Sequence, residues 1–218
     1  MIIALSGRAR SGKDTCADIL VSKHNFTKIS LADPIRELCS KVFNIPVSTF
    51  LSDELKEKPF EESVFLGYSR IIDIIEVIED NWGFDIDKVS HLNMLKLAGE
   101  QLKHPRHILQ VVGTEVIRNN VDKDIFLKLA DKRIGNTSKN IVITDCRFSN
   151  ERKWFKKQGA TLCLVKRPTR HYIDMHMSEN DLGAEADYDV VMTNDGTLSG
   201  FKIDVEEWIA TKLARRSY

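Results

Sequence analysis

The chain has 218 residues, enough for one domain with a peripheral lobe and a full hydrophobic core. Hydrophobic residues make up 42% and charged residues 29%, and no apolar run approaches the ~18 residues of a membrane span. Lys+Arg and Asp+Glu are both 32, so the formal net charge is zero, which argues against nucleic-acid binding as the main function.

The first element is the short apolar, β-leaning segment Met1–Leu5, and a strand is predicted over 2–6. It is too short for a signal peptide, and it runs directly into Gly7-Arg8-Ala9-Arg10-Ser11-Gly12-Lys13-Asp14-Thr15. That spacing is G-x-x-x-x-G-K, a phosphate-binding loop, with Asp14 where a Ser or Thr hydroxyl normally stands. A helix is predicted over 12–23. Strand, Gly-rich loop and helix together form a phosphate cradle, in which backbone N–H groups and the helix N-terminus face the anion. Lys13 is expected near the β- and γ-phosphates. Asp14 has two readings: a carboxylate that holds Mg²⁺, or an acid that complements the helix dipole. Thr15 would offer its hydroxyl. The bland alternative, a Gly-rich turn, leaves Lys13 without a role.

A short strand over 27–30 is predicted next. A helix then starts at Ala32-Asp33-Pro34, with Pro34 in its first turn and Ile35, Leu38 and Val42 on one face. Residues 44–70, with Pro46, Pro59 and Gly67 among many charges, are expected to be irregular. The run 71–78 fits helix or strand by its apolar content. Helices are predicted over 91–103, on the Leu92, Leu95, Leu102 spacing, then over 106–119 and 123–133. Ile141–Thr144 reads as a buried strand ending at Asp145, followed by a helix over 149–158 that stops at Gly159. Strands at 161–165 and 188–192 and a terminal helix over 200–216 complete the chain.

This alternation predicts an α/β fold: a parallel sheet of about five strands flanked by helices. Gly7, Asp145 and Arg167 all fall just past strand ends, where ligands of such sheets bind. Asp145 is therefore a candidate for magnesium, for water or for a substrate hydroxyl, with a helix cap as the alternative; Arg147 lies within reach of a phosphate. The basic run Lys166-Arg167-Pro168-Thr169-Arg170 and the polar stretch after it suit a lid, or else a solvated loop. Arg36 and Arg106 are candidates for an acceptor phosphate. His104 and His107, either side of Pro105, read as surface residues. Cys16, Cys39, Cys146 and Cys163 form no C-x-x-C pair, so neither a zinc site nor a disulfide framework is expected, and the simplest reading is a reduced, cytoplasmic protein.

Several segments resemble the bacteriophage deoxynucleoside monophosphate kinases. They are Ser6-Gly7 with Arg10-Ser11-Gly12-Lys13-Asp14-Thr15, and Leu109-Gln110 with Gly113-Thr114-Glu115 and Asn119-Asn120. Ile143-Thr144-Asp145-Cys146-Arg147 with Asn150-Glu151, Gly159-Ala160-Thr161, Arg167-Pro168 and Val191–Leu198 follow in order. Residues 44–104 match poorly, where the acceptor-base lobe should be. The resemblance implies a P-loop kinase fold with a core at 1–33, 106–166 and 188–218, a largely helical acceptor lobe at about 34–105 and a lid at about 167–187. It implies γ-phosphoryl transfer from ATP, with Mg²⁺, to a deoxynucleoside monophosphate in the cytoplasm of an infected host. On the nucleotide side it implies Gly7, Arg10, Ser11, Gly12, Lys13, Asp14, Thr15 and Cys16, with Asp14, Thr15 and Asp145 towards the metal. On the acceptor side it implies Ala9, Ile35, Arg36, Arg106, Gln110, Gly113, Thr114, Asp145, Arg147, Asn150 and Glu151. Lys13, Asp14, Arg147, Arg167 and Arg170 are the expected catalytic set. The expected partners are small-molecule nucleotides, with no nucleic acid and no membrane; a homodimer is left open. Leu31-Ala32-Asp33-Pro34-Ile35-Arg36 after a GKD loop also resembles the animal-type phosphomevalonate kinases. Dephospho-coenzyme A kinases and nucleic-acid motors are weaker alternatives.

Overall fold

The computed structural model describes residues 1–168 and 181–214. The expected lid residue Arg170, and His171 and His176 beside it, lie outside the described residues. The chain divides into two compact units: Met1–Leu31 with Ala130–Tyr218, and Ala32–Leu129.

The first unit is built on five parallel strands: β1 (Ile2–Ser6), β2 (Phe26–Ile29), β5 (Asn140–Ile143), β6 (Thr161–Lys166) and β7 (Val190–Thr193). Their order in the sheet is β2-β5-β1-β6-β7. β1 is central and pairs with β5 through Ala4↔Ile143 and with β6 through Ser6↔Leu164. The three inner strands β5, β1 and β6 are buried along most of their length because both faces are covered, as parallel sheets require, while the edge strands β2 and β7 are partly exposed. Ile3, Leu5, Val142, Cys163, Val165 and Met192 belong to one buried cluster. Cys16, Ala17 and Leu20 of α1 (Lys13–His24) and Phe201, Val205 and Ile209 of α9 (Leu198–Ala214) belong to the same cluster. The alternate positions Ala4, Leu162 and Leu164 are buried as well, as is Phe155 of α8 (Ser149–Lys157). Each fully buried Leu or Ile contributes about 1.5–3 kcal/mol. The chain leaves β1 towards β2 on one side and leaves β6 towards β7 on the other. The crevice at the carboxyl ends of β1 and β6 is therefore a topological switch point, the usual ligand position in open α/β sheets.

The second unit is mostly helical. α2 (Asp33–Phe43) and the short α3 (Val47–Leu51) come first, followed by a 3₁₀ turn at Leu55–Glu57 and β3 (Val64–Phe65). α4 (Tyr68–Glu76) runs into a π-helical stretch, Val77–Trp82, which resolves the ambiguous run 71–78 as helix. Ile71, Ile74, Ile75 and Ile78 are buried and Ile72 is exposed, a helical period rather than a strand's alternation. α5 (Lys88–Leu95) is capped by the Asp87 carboxylate, which accepts from the Val89 and Ser90 N–H groups.

The expected helix over 91–103 is corrected here: it stops at Leu95, and Leu102 lies in β4 (Gln101–Leu102), antiparallel to β3 with Val64 opposite Leu102. Leu66 N–H donates to Glu100 O at 2.9 Å and Gly99 N–H to Leu66 O at 2.8 Å, so the ladder takes the backbone groups a longer helix would need. Residues 44–70, expected to be irregular, also contain α3, the 3₁₀ turn and β3. α6 (Pro105–Gln110) passes into a π-helical stretch, Val111–Arg118, and the boundary between the units falls within α7 (Ile125–Gly135). Among the described residues no helix is long and apolar enough to cross a membrane. The last strand starts at Val190 rather than 188; the exposed Asp189 before it donates its N–H to Leu162 O and accepts from Leu162 N–H through its carboxylate.

Candidate active site

The loop between β1 and α1 has the backbone a phosphate cradle needs. Gly7 lies at φ 142° and Gly12 at φ 110°, both in the region that favours glycine. Contact forbids side chains there too: a Cβ on Gly7 would sit 2.3 Å from the Val165 carbonyl oxygen, and one on Gly12 would sit 2.6 Å from Asn194 Nδ2. Arg10 also has a positive φ, 58°, a position that costs a non-glycine residue about 1 kcal/mol or more. Strain of this kind collects where backbone N–H groups must converge on a ligand.

Lys13 is buried, and its Nζ donates to the Arg8 carbonyl at 2.7 Å, so the ammonium is folded back across the loop. Ser11 Oγ is buried and has no hydrogen-bond partner among the described residues. An orphaned hydroxyl and a lysine inside a ring of strained backbone form an environment suited to an anion's oxygens. Asn194, at the end of β7, holds this loop. Its Nδ2 donates to Ser11 O at 2.9 Å and its N–H to Lys166 O at 2.7 Å. Sequence reasoning misses this role; its signal is a polar residue following an apolar strand on the carboxyl edge of the sheet.

Asp14 is exposed in the first turn of α1, with Oδ1 3.5 Å from Lys28 Nζ; Asp18, one turn on, is 3.1 Å from the same ammonium. Thr15 is half-buried and Cys16 fully buried. Burial pushes the Cys16 thiol up to about 12 and raises Cys39, Cys146 and Cys163 as well, so all four free thiols are neutral packing groups at pH 7.

Asp145 is buried two residues past β5. Its Oδ2 accepts from Ser30 Oγ at 2.6 Å and its Oδ1 from the Leu31 N–H at 2.7 Å. This ties the ends of β2 and β5 together. Ser6 Oγ donates to the Cys146 carbonyl at 2.6 Å, tying β1 to the same loop. Glu151 is buried, and its carboxylate accepts from the N–H groups of Arg147 and Phe148 at 2.7 and 3.0 Å, capping α8 from the third helical position. Arg147, Asn150 and Arg167 are half-buried, and Arg167 directly follows β6. Among the described residues no group of three His, Cys, Asp or Glu side chains could hold a metal by itself.

The second unit carries the other expected acceptor residues. Arg36 Nη1 donates to Asp33 Oδ1 at 2.8 Å, and Arg106 Nη1 to Glu57 Oε1 at 2.5 Å, so each guanidinium has a carboxylate beside it. Ile35 is buried, and a Cβ on Gly113 would be 3.8 Å from its side chain. Gln110 is half-buried where α6 meets the π-helical stretch, and Thr114 is buried, its carbonyl accepting from Asn119 N–H five residues on. The histidines expected at the surface are partly exposed; His104 also caps α6, its Nδ1 accepting from His107 N–H, and His107 Nδ1 accepts from Lys103 N–H. Glu115 Oε2 is buried without a partner; burial, with the nearby Glu100 charge, raises its pKa.

A family model described as deoxynucleotide monophosphate kinase matches residues 1–76 and 70–205. A protein of Acanthamoeba polyphaga mimivirus is 30% identical over 213 residues, covering 92% of each chain. The deoxynucleotide monophosphate kinase of Enterobacteria phage T4 is 27% identical, over 90% of this chain and 93% of its own. That of Escherichia phage RB69 is 28% identical, over 94% and 98%. The matched span takes in the phosphate-binding loop, the Asp145–Arg147 corner and the Asn194 tether, and these findings leave the phosphomevalonate alternative without support. The chain belongs to the deoxynucleotide monophosphate kinase family.

Proposed function

We propose that this chain transfers the γ-phosphoryl group of ATP to a deoxynucleoside monophosphate, with the phosphate-binding loop on the donor and the arginines of the second unit on the acceptor. The observation that carries the donor side is the loop itself: two contact-locked glycines, a folded-back Lys13 and an orphaned Ser11 hydroxyl. An acceptor phosphate oxygen attacks the γ-phosphorus, the bond to the β–γ bridging oxygen breaks, and ADP leaves with that electron pair. The acceptor is already an anion, so no strong general base is needed. The work is positioning and stabilisation of charge on the transferring group.

In this reading Lys13 leaves the Arg8 carbonyl for a phosphate oxygen, and Ser11 and the loop amides of Gly7–Thr15 complete the cradle with Cys16 behind them. Asp14 and Thr15 offer the hard oxygen donors that suit Mg²⁺, which would neutralise phosphate charge when bound. Asp145, whose oxygens already serve Ser30 and Leu31, acts on the metal through water. Arg36 and Arg106 exchange their carboxylate partners for the acceptor phosphate, a bidentate anion of similar geometry. Ala9, Ile35, Gln110, Gly113, Thr114 and Asn150 complete the acceptor side, with Glu151 acting through the backbone it caps. Arg147, Arg167 and Arg170 supply charge to the transferring group. Small-molecule nucleotides are the partners; nucleic acid has no role, and self-association as a homodimer is compatible with the reading.

The test is ADP release with ATP, Mg²⁺ and each of dAMP, dGMP, dCMP and dTMP beside their ribose forms. Turnover dependent on a deoxynucleotide is the expected result. ADP release indifferent to every nucleotide acceptor would overturn the reading.

A further inference from the structure

Arg147 and Phe148 end the link from β5 to α8 and Ser149 is the first residue of α8, and charged side chains take up backbone groups of all three. Glu151 accepts the N–H of Arg147 and of Phe148. Asp181, beyond β6, accepts the N–H of Ser149 at 2.7 Å. Arg152 Nη1 donates to the carbonyl of Arg147 at 2.9 Å and to that of Asp181 at 2.6 Å, and its Nη2 lies 3.7 Å from the Asp181 carboxylate. Arg152 is only 6% exposed, and its guanidinium carbon is 5.8 Å from the centre of the Tyr188 ring. The Tyr188 hydroxyl in turn donates to Leu182 O at 2.7 Å, fixing the chain just past Asp181.

A helix start is ordinarily served by one capping side chain, as Asp87 serves α5. Here two carboxylates and a guanidinium are spent on three consecutive residues, and two of those charges are almost wholly buried. Buried ionic groups are a weak source of net stability compared with apolar packing. They fix geometry, and a displacement of about 1 Å in a positioned group can cost about 10²-fold in rate.

We propose that Arg152 and Asp181 are positioning residues for phosphoryl transfer, clamping the backbone of Arg147–Ser149 so that the Arg147 side chain is presented from a fixed place. This rests on the kinase reading above. Neither residue touches substrate; both act through Arg147. Asp181 carries the clamp to the stretch that leads through Tyr188 into β7.

The test is a double-mutant cycle of Arg152→Lys with Arg147→Ala, with Asp181→Asn as a second entry to the same cycle. Arg152→Lys is expected to lower kcat/KM for the deoxynucleotide by ~10–100-fold while leaving KM for ATP within about twofold. In the Arg147→Ala background the same change is expected to cost less than about twofold, because the group it positions is gone. Asp181→Asn is expected to behave likewise with a smaller loss, and it decides the question if Arg152→Lys does not fold. Full additivity with Arg147→Ala, or unchanged kinetics in both variants, would overturn the proposal. Amide exchange reads the clamp independently of activity: the Ser149 N–H should lose protection in Asp181→Ala, which removes the acceptor, and unchanged protection would also overturn it. A wild-type chain without deoxynucleotide turnover would sink the kinase reading instead, and the Ser149 amide would still judge the clamp.

Discussion

Lys13 Nζ against the Arg8 carbonyl is an ion–dipole contact that a phosphate oxygen outcompetes, because the anion adds charge–charge attraction to the hydrogen bond. Lys13→Ala should lower kcat by at least ~10²-fold, the scale of losing one charge-stabilising donor. It should leave the circular dichroism and thermal midpoint close to wild type; near-full turnover in that variant would refute the donor-site assignment. Glu115 offers a second test at this scale. Its pKa is raised chiefly by burial, so the folded state holds a proton that the unfolded chain has already released. Folding stability therefore falls as pH rises from the ordinary glutamate value through the raised one. Glu115→Gln should flatten that slope in urea unfolding between pH 4 and 7 and leave the neutral-pH stability equal or higher. A steeper loss at neutral pH would mean the carboxylate has a favourable partner.

Among the elements, β7 and its following turn matter beyond their length of four residues. β7 is an edge strand, yet Asn194 at its end supplies the side-chain donor on Ser11 O and the backbone donor on Lys166 O. Asn194→Ala removes a buried side-chain donor, which costs about 1–3 kcal/mol. A lower urea midpoint with an unchanged slope, together with a raised KM for ATP and little change in KM for the deoxynucleotide, is the expected outcome. An equal rise in both KM values would argue that the tether is not specific to the phosphate loop. Element boundaries show why local pattern misleads. Leu92, Leu95 and Leu102 keep helical spacing, but Leu102 answers to Val64 across a two-stranded ladder. Leu92 is exposed and Met94 is the residue of α5 that is buried, so leucine spacing alone does not mark the buried face.

At the scale of the whole molecule, equal numbers of acidic and basic residues leave little long-range field. In the proposed reading, recognition of anionic nucleotides then comes from local groups: Lys13, the loop amides and arginines paired with carboxylates. ATP with Mg²⁺ at a hundred times its Kd should stabilise the fold by about 2.7 kcal/mol, read as a rise in thermal midpoint. The same ligand should give little rise in Lys13→Ala. A full rise there would place the nucleotide elsewhere.

The sequence alone determined the phosphate-binding loop, the α/β alternation and the placement of Gly7, Asp145 and Arg167 past strand ends. These are local properties: glycine spacing, apolar period and the polar residue after an apolar run, each set within a few residues by sterics and burial. Only the tertiary structure decided the strand order, the Asn194 clasp on Ser11 from 183 residues away and the Ser30–Asp145 bond across 115. It likewise decided that Glu151 caps α8 and that Arg152 reaches Asp181. Those contacts are settled by which buried donors and acceptors remain unpaired once the sheet has closed. That competition runs over the whole chain and leaves no spacing in the sequence to read.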